Sequence, residues 1–267
     1  MNNTIHNSES IRDFLEAKVL EYNTPDFIDK DPISIPHKFS AKEDIEIIGF
    51  LISTIAWGNR KSILNSGNKL INIMGNSPYD FIMSYEENNY DKLDDFKHRT
   101  FNSFDLHFFF INLKNIYSNF NGLETVFNKG FHKNKNAIDA IINFRNIFLG
   151  EYKDIRTKKH VANPENGSAS KRINMFLRWM VRNDNSGVDF GLWGNISPAW
   201  LSCPLDVHSA NSARKLGLLT RKQNDLKAVA ELDTRLREFD CKDPVKYDFA
   251  LFGMGVNDPL INLVILQ

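Results

Sequence analysis

The chain is predicted to be all-α, on three observations. Apolar residues recur at three- and four-residue spacing through nearly every readable segment. Alternating apolar–polar runs are scarce, and no Gly-Asn or Asp-Gly pair sits between β-branched runs, so hairpins are not indicated. Glycines stand where helical periods stop, as at Gly75 and Gly150. Taken in order, residues 8–22 put Ile11, Phe14, Leu15, Val19 and Leu20 on one stripe. Ser40-Ala-Lys-Glu43 has the capping-box pattern, ahead of an apolar run that ends near Trp57-Gly58. Residues 59–74 read as the next helix. Ser103 is placed to cap a Phe- and Leu-rich helix over 104–120, and 136–149 forms another. Further helices are expected near 169–183, 206–216, 225–238 and 244–252. There is no internal repeat and no long linker, so residues 1–267 are expected to form a single compact helical unit.

Size and composition are those of an ordinary globular protein: 267 residues, 42% hydrophobic and 25% charged. Lys+Arg and Asp+Glu are both 33, so net charge favours no partner. The distribution is more telling. Lysines and arginines gather at 153, 156, 158, 159, 171, 172, 178 and 182, while Glu86, Glu87, Asp91, Asp94 and Asp95 form an acidic run. A neutral protein with one basic face can still bind phosphates. Two distant cysteines, Cys203 and Cys241, make neither a four-cysteine zinc site nor an iron–sulfur site. The polar N-terminus has no apolar signal core, and no apolar run approaches the roughly 20 residues that span a bilayer. A soluble cytoplasmic protein with no membrane partner and no cofactor is the expectation.

Chemistry is expected in the half where the polar stretch 151–168 and the irregular stretch 183–202 bracket a helix opening at Lys171, because loops on a rigid scaffold gather binding groups. Lys171, Arg178 and Arg182 fall within about 20° of one line on that helix. A solvated basic face explains this pattern. A nucleophilic Lys171, with Arg172, Arg178 and Arg182 on phosphates, explains it too. The helix dipole and the adjacent Arg172 both disfavour the ammonium form at Lys171, which suits a nucleophile. Downstream, Cys203-Pro-Leu-Asp-Val-His208 places Asp206 where a helix N-cap belongs. A capped carboxylate stays ionised and fixed, so a cap and a charge-stabilising role are compatible. His208 is either a phosphate ligand or a surface histidine, and one histidine beside one aspartate is no metal site. Trp57, Asn59 and Arg60 sit at a helix-to-helix turn, where they either pack or fill the gap left by an extruded base. Trp193 and Trp200 precede Asp206.

The Lys171…Pro-x-Asp206-x-His208 arrangement resembles the helix-hairpin-helix DNA glycosylases, and within them the 8-oxoguanine glycosylases of the archaeal type. The chain is also similar over most of its length to a largely uncharacterised bacterial family. Its marks are Asp31-Pro-Ile…Pro36-His, His98-Arg-Thr-Phe-Asn102, Lys171-Arg-Ile-Asn-Met-Phe-Leu-Arg-Trp-Met-Val-Arg182, Cys203-Pro-Leu-Asp-Val-His208 and Asp243-Pro-Val-Lys-Tyr-Asp-Phe-Ala-Leu-Phe252. The glycosylase resemblance implies a two-part helical body with the active site in the cleft between the parts. The implied subdivision is 41–135 as a central helical part. Residues 1–40 plus 136–267 form a second part that carries the hairpin-like element and the catalytic residues. Lys171 becomes a Schiff-base nucleophile, Asp206 the supporting carboxylate and His208 a DNA phosphate contact.

Two features depart from the glycosylase pattern. The family hairpin reads Leu-Pro-Gly-x-Gly, whereas this chain has Asn163-Pro-Glu-Asn-Gly-Ser-Ala-Ser-Lys171, with Gly167 alone. The lysine and aspartate are separated by 35 residues, nearer the archaeal enzymes than the eukaryotic ones. The implied activity is that of a DNA glycosylase and AP lyase excising an oxidised purine such as 8-oxoguanine. The protein would act as a monomer on double-stranded DNA containing a damaged base. Trp57, Trp193 and Trp200 would line the base pocket, and Gly167, Asn59 and Arg60 would join the basic residues on DNA. Two rivals share the sequence evidence: a non-catalytic lesion or structured-nucleic-acid binder on the same fold, and a helical protein whose basic stripe meets an acidic partner.

Overall fold

The computed structural model describes residues 8–93, 95–152 and 155–257, and over them the fold is all-α. The helices are α1 (Ser8–Tyr22), α2 (Asp26–Asp29), α3 (Lys42–Ile55), α4 (Arg60–Met74), α5 (Pro78–Ser84) and α6 (Ser103–Phe120). They continue with α7 (Gly122–Asn134), α8 (Ala137–Leu149), α9 (Lys171–Val181), α10 (Val207–Lys215), α11 (Leu226–Phe239) and α12 (Tyr247–Asn257). A two-residue antiparallel pair, β1 (Lys97–His98) with β2 (Phe101–Asn102), and several 3-10 turns complete the described chain.

Two helix starts differ from the sequence reading. The N-cap of α3 is Ala41, with no side-chain cap bond, so the Ser40–Glu43 box does not form. At α6 the cap is Asn102 rather than Ser103. Asn102 Oδ1 accepts from the Asp105 N–H at 3.3 Å, and Asp105 Oδ2 accepts from the Asn102 N–H at 3.1 Å. Helices α5 and α7 were not separable by period. Asn121 and Gly122, both at positive φ, break the apolar run between α6 and α7.

The buried apolar residues form two cores. The larger joins α3 to α9, centred on Phe50, whose ring meets those of Phe109, Phe144, Phe148 and Phe176 at 5.2–5.7 Å. The smaller gathers α1, α10, α11 and α12 around Leu15, Cys203, Leu232 and Leu251. Helix α9 is buried on every face from Ile173 to Val181. Its C-terminal carbonyls are met by the irregular stretch that follows, through Phe190 N–H to Trp179 O at 2.8 Å and Trp193 N–H to Met180 O at 2.9 Å.

Arg178 and Arg182 of the α9 stripe are therefore interior residues, on neither a solvated face nor a phosphate. Arg178, 3% exposed, pairs with Asp189 at 3.2 Å and with Asp248 of α12 at 2.5 Å. Arg182 pairs with Asp184, with Asp189 at 3.3 Å and with Asp243 at 2.9 Å. Burying two guanidiniums is tolerable only because each is ringed by carboxylates. These pairs tie α9 of the larger core to α12 of the smaller one. The phosphate role expected of Arg178 and Arg182 is thereby withdrawn.

Glycine decides one approach that matters for the site. A Cβ on Gly255 would lie 2.7 Å from the backbone oxygen of His208, so α12 and the first turn of α10 touch only because that side chain is missing. Gly255→Ala is expected to cost about 1–3 kcal/mol through forced displacement of one helix from the other. Chemical denaturation reads the loss; unchanged stability would show that the two helices part freely.

Candidate active site

Lys171 is the first residue of α9, and Asp206 is the N-cap of α10. Their side chains, far apart in sequence, meet with Lys171 Nζ 3.9 Å from Asp206 Oδ2 at 29% and 19% exposure. The carboxylate divides its work. Oδ1 accepts from the Ser209 N–H at 2.9 Å, the helix-cap bond, while Oδ2 is the atom nearest the amine. Pro204 and Leu205 precede it, and Ser209 behind it donates its hydroxyl to Asp248 Oδ1 at 3.1 Å. The residue preceding Lys171, Ser170, is held at φ +53, a left-handed turn that brings the chain from the Pro164–Asn166 3-10 turn into α9.

The pair stands on the wall of a cavity of about 830 Å3, the size of a pocket for a compact organic ligand. Trp57, Arg60, Arg172, Arg178 and His208 line the same cavity, so five further sequence candidates converge on it. Trp57 is firmly held. His160 stacks on its ring at 5.8 Å, His98 meets it edge-on at 5.1 Å, and the Arg172 guanidinium lies over it at 4.7 Å. Arg172 also donates to the Thr54 carbonyl, and burial pushes its pKa down to about 10. His208 is exposed at the rim, its Nδ1 3.2 Å from the Gly255 carbonyl.

The remaining candidates lie elsewhere. Trp193 is fully buried, its indole N–H donated to Glu46 Oε1 at 2.7 Å, so it is a core residue and not a pocket wall. Trp200 packs against Phe131 and His132 of α7 rather than the cavity. Both were placed in the pocket for their nearness to Asp206 in sequence. The 3-10 turn at Pro198–Trp200 and the extended chain after it carry Trp200 away from Asp206. Asn59 is spent as the cap of α4, accepting from the Ser62 N–H at 3.3 Å. Gly167, at φ +80, closes the 3-10 turn at Pro164–Asn166, and its carbonyl accepts from the Leu226 N–H at 2.9 Å.

The cavity also has walls that sequence reasoning assigned no role: Phe27, Asp31, Met175, Asp248 and Phe252. All but Phe27 lay in recognisable stretches, Asp31-Pro-Ile, Lys171–Arg182 and Asp243–Phe252, but helical period alone gives an acidic residue no inward direction. Burial pushes the Asp248 carboxyl up to about 6, with the Arg178 guanidinium opposing it. Asp31 is likewise raised by burial, against the Ile33 N–H and the charges of Arg178, Arg60 and Lys171.

A family model described as a protein of unknown function (DUF2400) matches residues 31–257. The chain belongs to the DUF2400 family. In this DUF2400 member the match takes in every residue of the cavity wall except Phe27. No curated protein and no solved structure matches the chain. Among the described residues of this DUF2400 chain, no helix is long and apolar enough to cross a membrane.

Proposed function

We propose that the protein is a DNA glycosylase with AP lyase activity, excising an oxidised purine such as 8-oxoguanine through an imine on Lys171. The observation that carries this reading is the Lys171–Asp206 pair, 3.9 Å apart on the wall of a cavity large enough for an extruded nucleoside. Arg60, Arg172 and His208 around the same cavity supply positive charge and hydrogen-bond donors suited to the DNA backbone.

The chemistry divides between the two residues. The neutral Nζ of Lys171 gives its electron pair to C1′ of the deoxyribose. The C1′–N9 bond breaks, its electrons pass to N9, and the base leaves as an anion that takes a proton from water. Asp206 Oδ2 faces the positive charge developing on the sugar and takes the proton released from Nζ. Ring opening leaves an imine between Lys171 and C1′. Loss of a C2′ proton then expels the 3′ phosphate by β-elimination.

Asp206→Asn tests the carboxylate. Asparagine caps helices nearly as well as aspartate, so the melting temperature should hardly move. Turnover on a duplex with one 8-oxoguanine should fall on the order of 100- to 1,000-fold, the usual scale for removing one preorganised electrostatic partner. A melting loss without a specific activity loss would reduce Asp206 to a cap. Lesion binding with no product from the parent protein, across a panel of oxidised bases, would favour a silent binder on the same fold.

A further inference from the structure

A second cavity, of about 400 Å3, shares only Lys171 and Arg172 with the candidate active site. Its other walls come from α3, from α8 and from the chain between α8 and α9. Five of its walls are cations, Arg145, Lys158, Lys159, Lys171 and Arg172, and among the described residues no carboxylate lines it. The two arginines are the telling ones. Arg178 and Arg182 are answered by carboxylates. Arg172 instead bonds the Thr54 carbonyl and lies over the Trp57 ring, while Arg145 bonds the carbonyls of Lys158, at 3.2 Å, and Val161. Burial lowers the pKa of both, that of Arg172 to about 10, and Glu165, which opposes the fall at Arg145, is not a wall. Lys171 has its counter-charge, Asp206, on the wall of the other cavity.

Partly buried guanidiniums held only by carbonyls leave a positive field that an anion would balance. Neutral donors stand beside them. Ser168 Oγ accepts from the Ser170 N–H and Asn163 Oδ1 from the Glu165 N–H, each at 3.1 Å, so the Ser168 hydroxyl and the Asn163 Nδ2 group still have hydrogens to give. The amount of charge decides the class of anion. Each phosphodiester of a continuous strand carries a single negative charge, whereas a terminal phosphate carries about two near pH 7. We propose that this second cavity binds a terminal phosphate group, as a phosphomonoester or a diphosphate, in preference to a phosphodiester. Arg145, Arg172 and Lys159 supply the charge. The site stands independently of the glycosylase reading, since it involves neither a base nor an imine. A free nucleotide and the 5′-phosphorylated end of a strand both carry such a group, and binding measurements separate them.

Calorimetry on the full chain at low salt uses inorganic diphosphate, deoxyadenosine 5′-monophosphate, and a thymidine trinucleotide with either a 5′-phosphate or a 5′-hydroxyl. The phosphorylated trinucleotide should bind about tenfold or more tightly than its 5′-hydroxyl twin, and diphosphate should compete with it. Lys159→Gln and Arg172→Gln should each weaken diphosphate binding by about 3- to 30-fold at unchanged melting temperature. Lys159 is exposed, so its variant keeps the test decisive even where Arg172→Gln disturbs the fold. Lys69→Gln, exposed on α4 and away from this cavity, should leave the affinity unchanged. Equal binding of the two trinucleotides overturns the proposal. So does failure of diphosphate to bind at millimolar concentration, or a loss in Lys69→Gln as large as in Lys159→Gln. With the site upheld, a mononucleotide that binds as tightly as the phosphorylated trinucleotide identifies a free nucleotide as the ligand, and a tighter trinucleotide identifies a strand end. Diphosphate binding that depends on Lys159, in a protein that excises no lesion, would retain this site and sink the glycosylase chemistry alone.

Discussion

Lys171→Gln is expected to bind a lesion duplex about as tightly as the parent and to leave it intact. Glutamine keeps much of the side chain's reach but has no basic amine, so neither attack on C1′ nor an imine is available. The loss should be on the order of 10,000-fold or more, the scale on which removal of a covalent nucleophile acts. Stability should barely change. The lysine side chain is 29% exposed, and its pair with Asp206 is of the partly exposed kind worth about 0–1 kcal/mol. Binding is retained because Arg60, Arg172 and His208 still surround the cavity. Single-turnover cleavage and gel-shift titration on the same duplex separate the two quantities, and undiminished cleavage would remove Lys171 from the chemistry.

Arg178→Met is expected to have the largest effect on stability, about 3–5 kcal/mol, because it strips the counter-charge from carboxylates that stay buried. Asp189 and Asp248 both bond this guanidinium, and the ring of Phe249 lies 4.2 Å from it. Methionine fills part of the volume and answers none of the charge. The loss reaches beyond one core, since the Arg178–Asp248 pair holds α9 against α12 and Asp248 is itself a wall of the cavity. Denaturant titration should show a lowered midpoint. Adding Asp189→Asn should recover part of the loss by removing one orphaned charge, whereas purely additive losses would show that the two side chains do not depend on each other.

These two residues, seven apart on one helix, mark how far the sequence could be read. Helical period was legible because it is a local property, and it gave the all-α class. The meeting of Lys171 with Asp206 was legible because the lysine opens one helix and a Pro-x-Asp pattern opens another. The environment of Arg178 and Arg182 was not. A charged stripe on an amphipathic helix looks the same whether it faces solvent or a set of carboxylates brought in from positions 184, 189, 243 and 248. Trp57 and Trp193 make the same point. Both are tryptophans near a turn, yet one lines the cavity and the other spends its indole on Glu46 of α3. Asp31 was hidden for a related reason: its cap bond is local, while its place in the cavity depends on α4, α9 and α12 packing beside it.

The central claim is an imine between Lys171 and the sugar of a damaged nucleotide, and borohydride tests it directly. The purified protein is incubated with duplex DNA carrying a single 8-oxoguanine, reduced, and resolved on a denaturing gel. A covalent protein–DNA adduct that maps to the peptide containing Lys171, and that is lost in Lys171→Gln, is the predicted result. The absence of any adduct across a panel of oxidised-base duplexes that the protein nevertheless binds would contradict it.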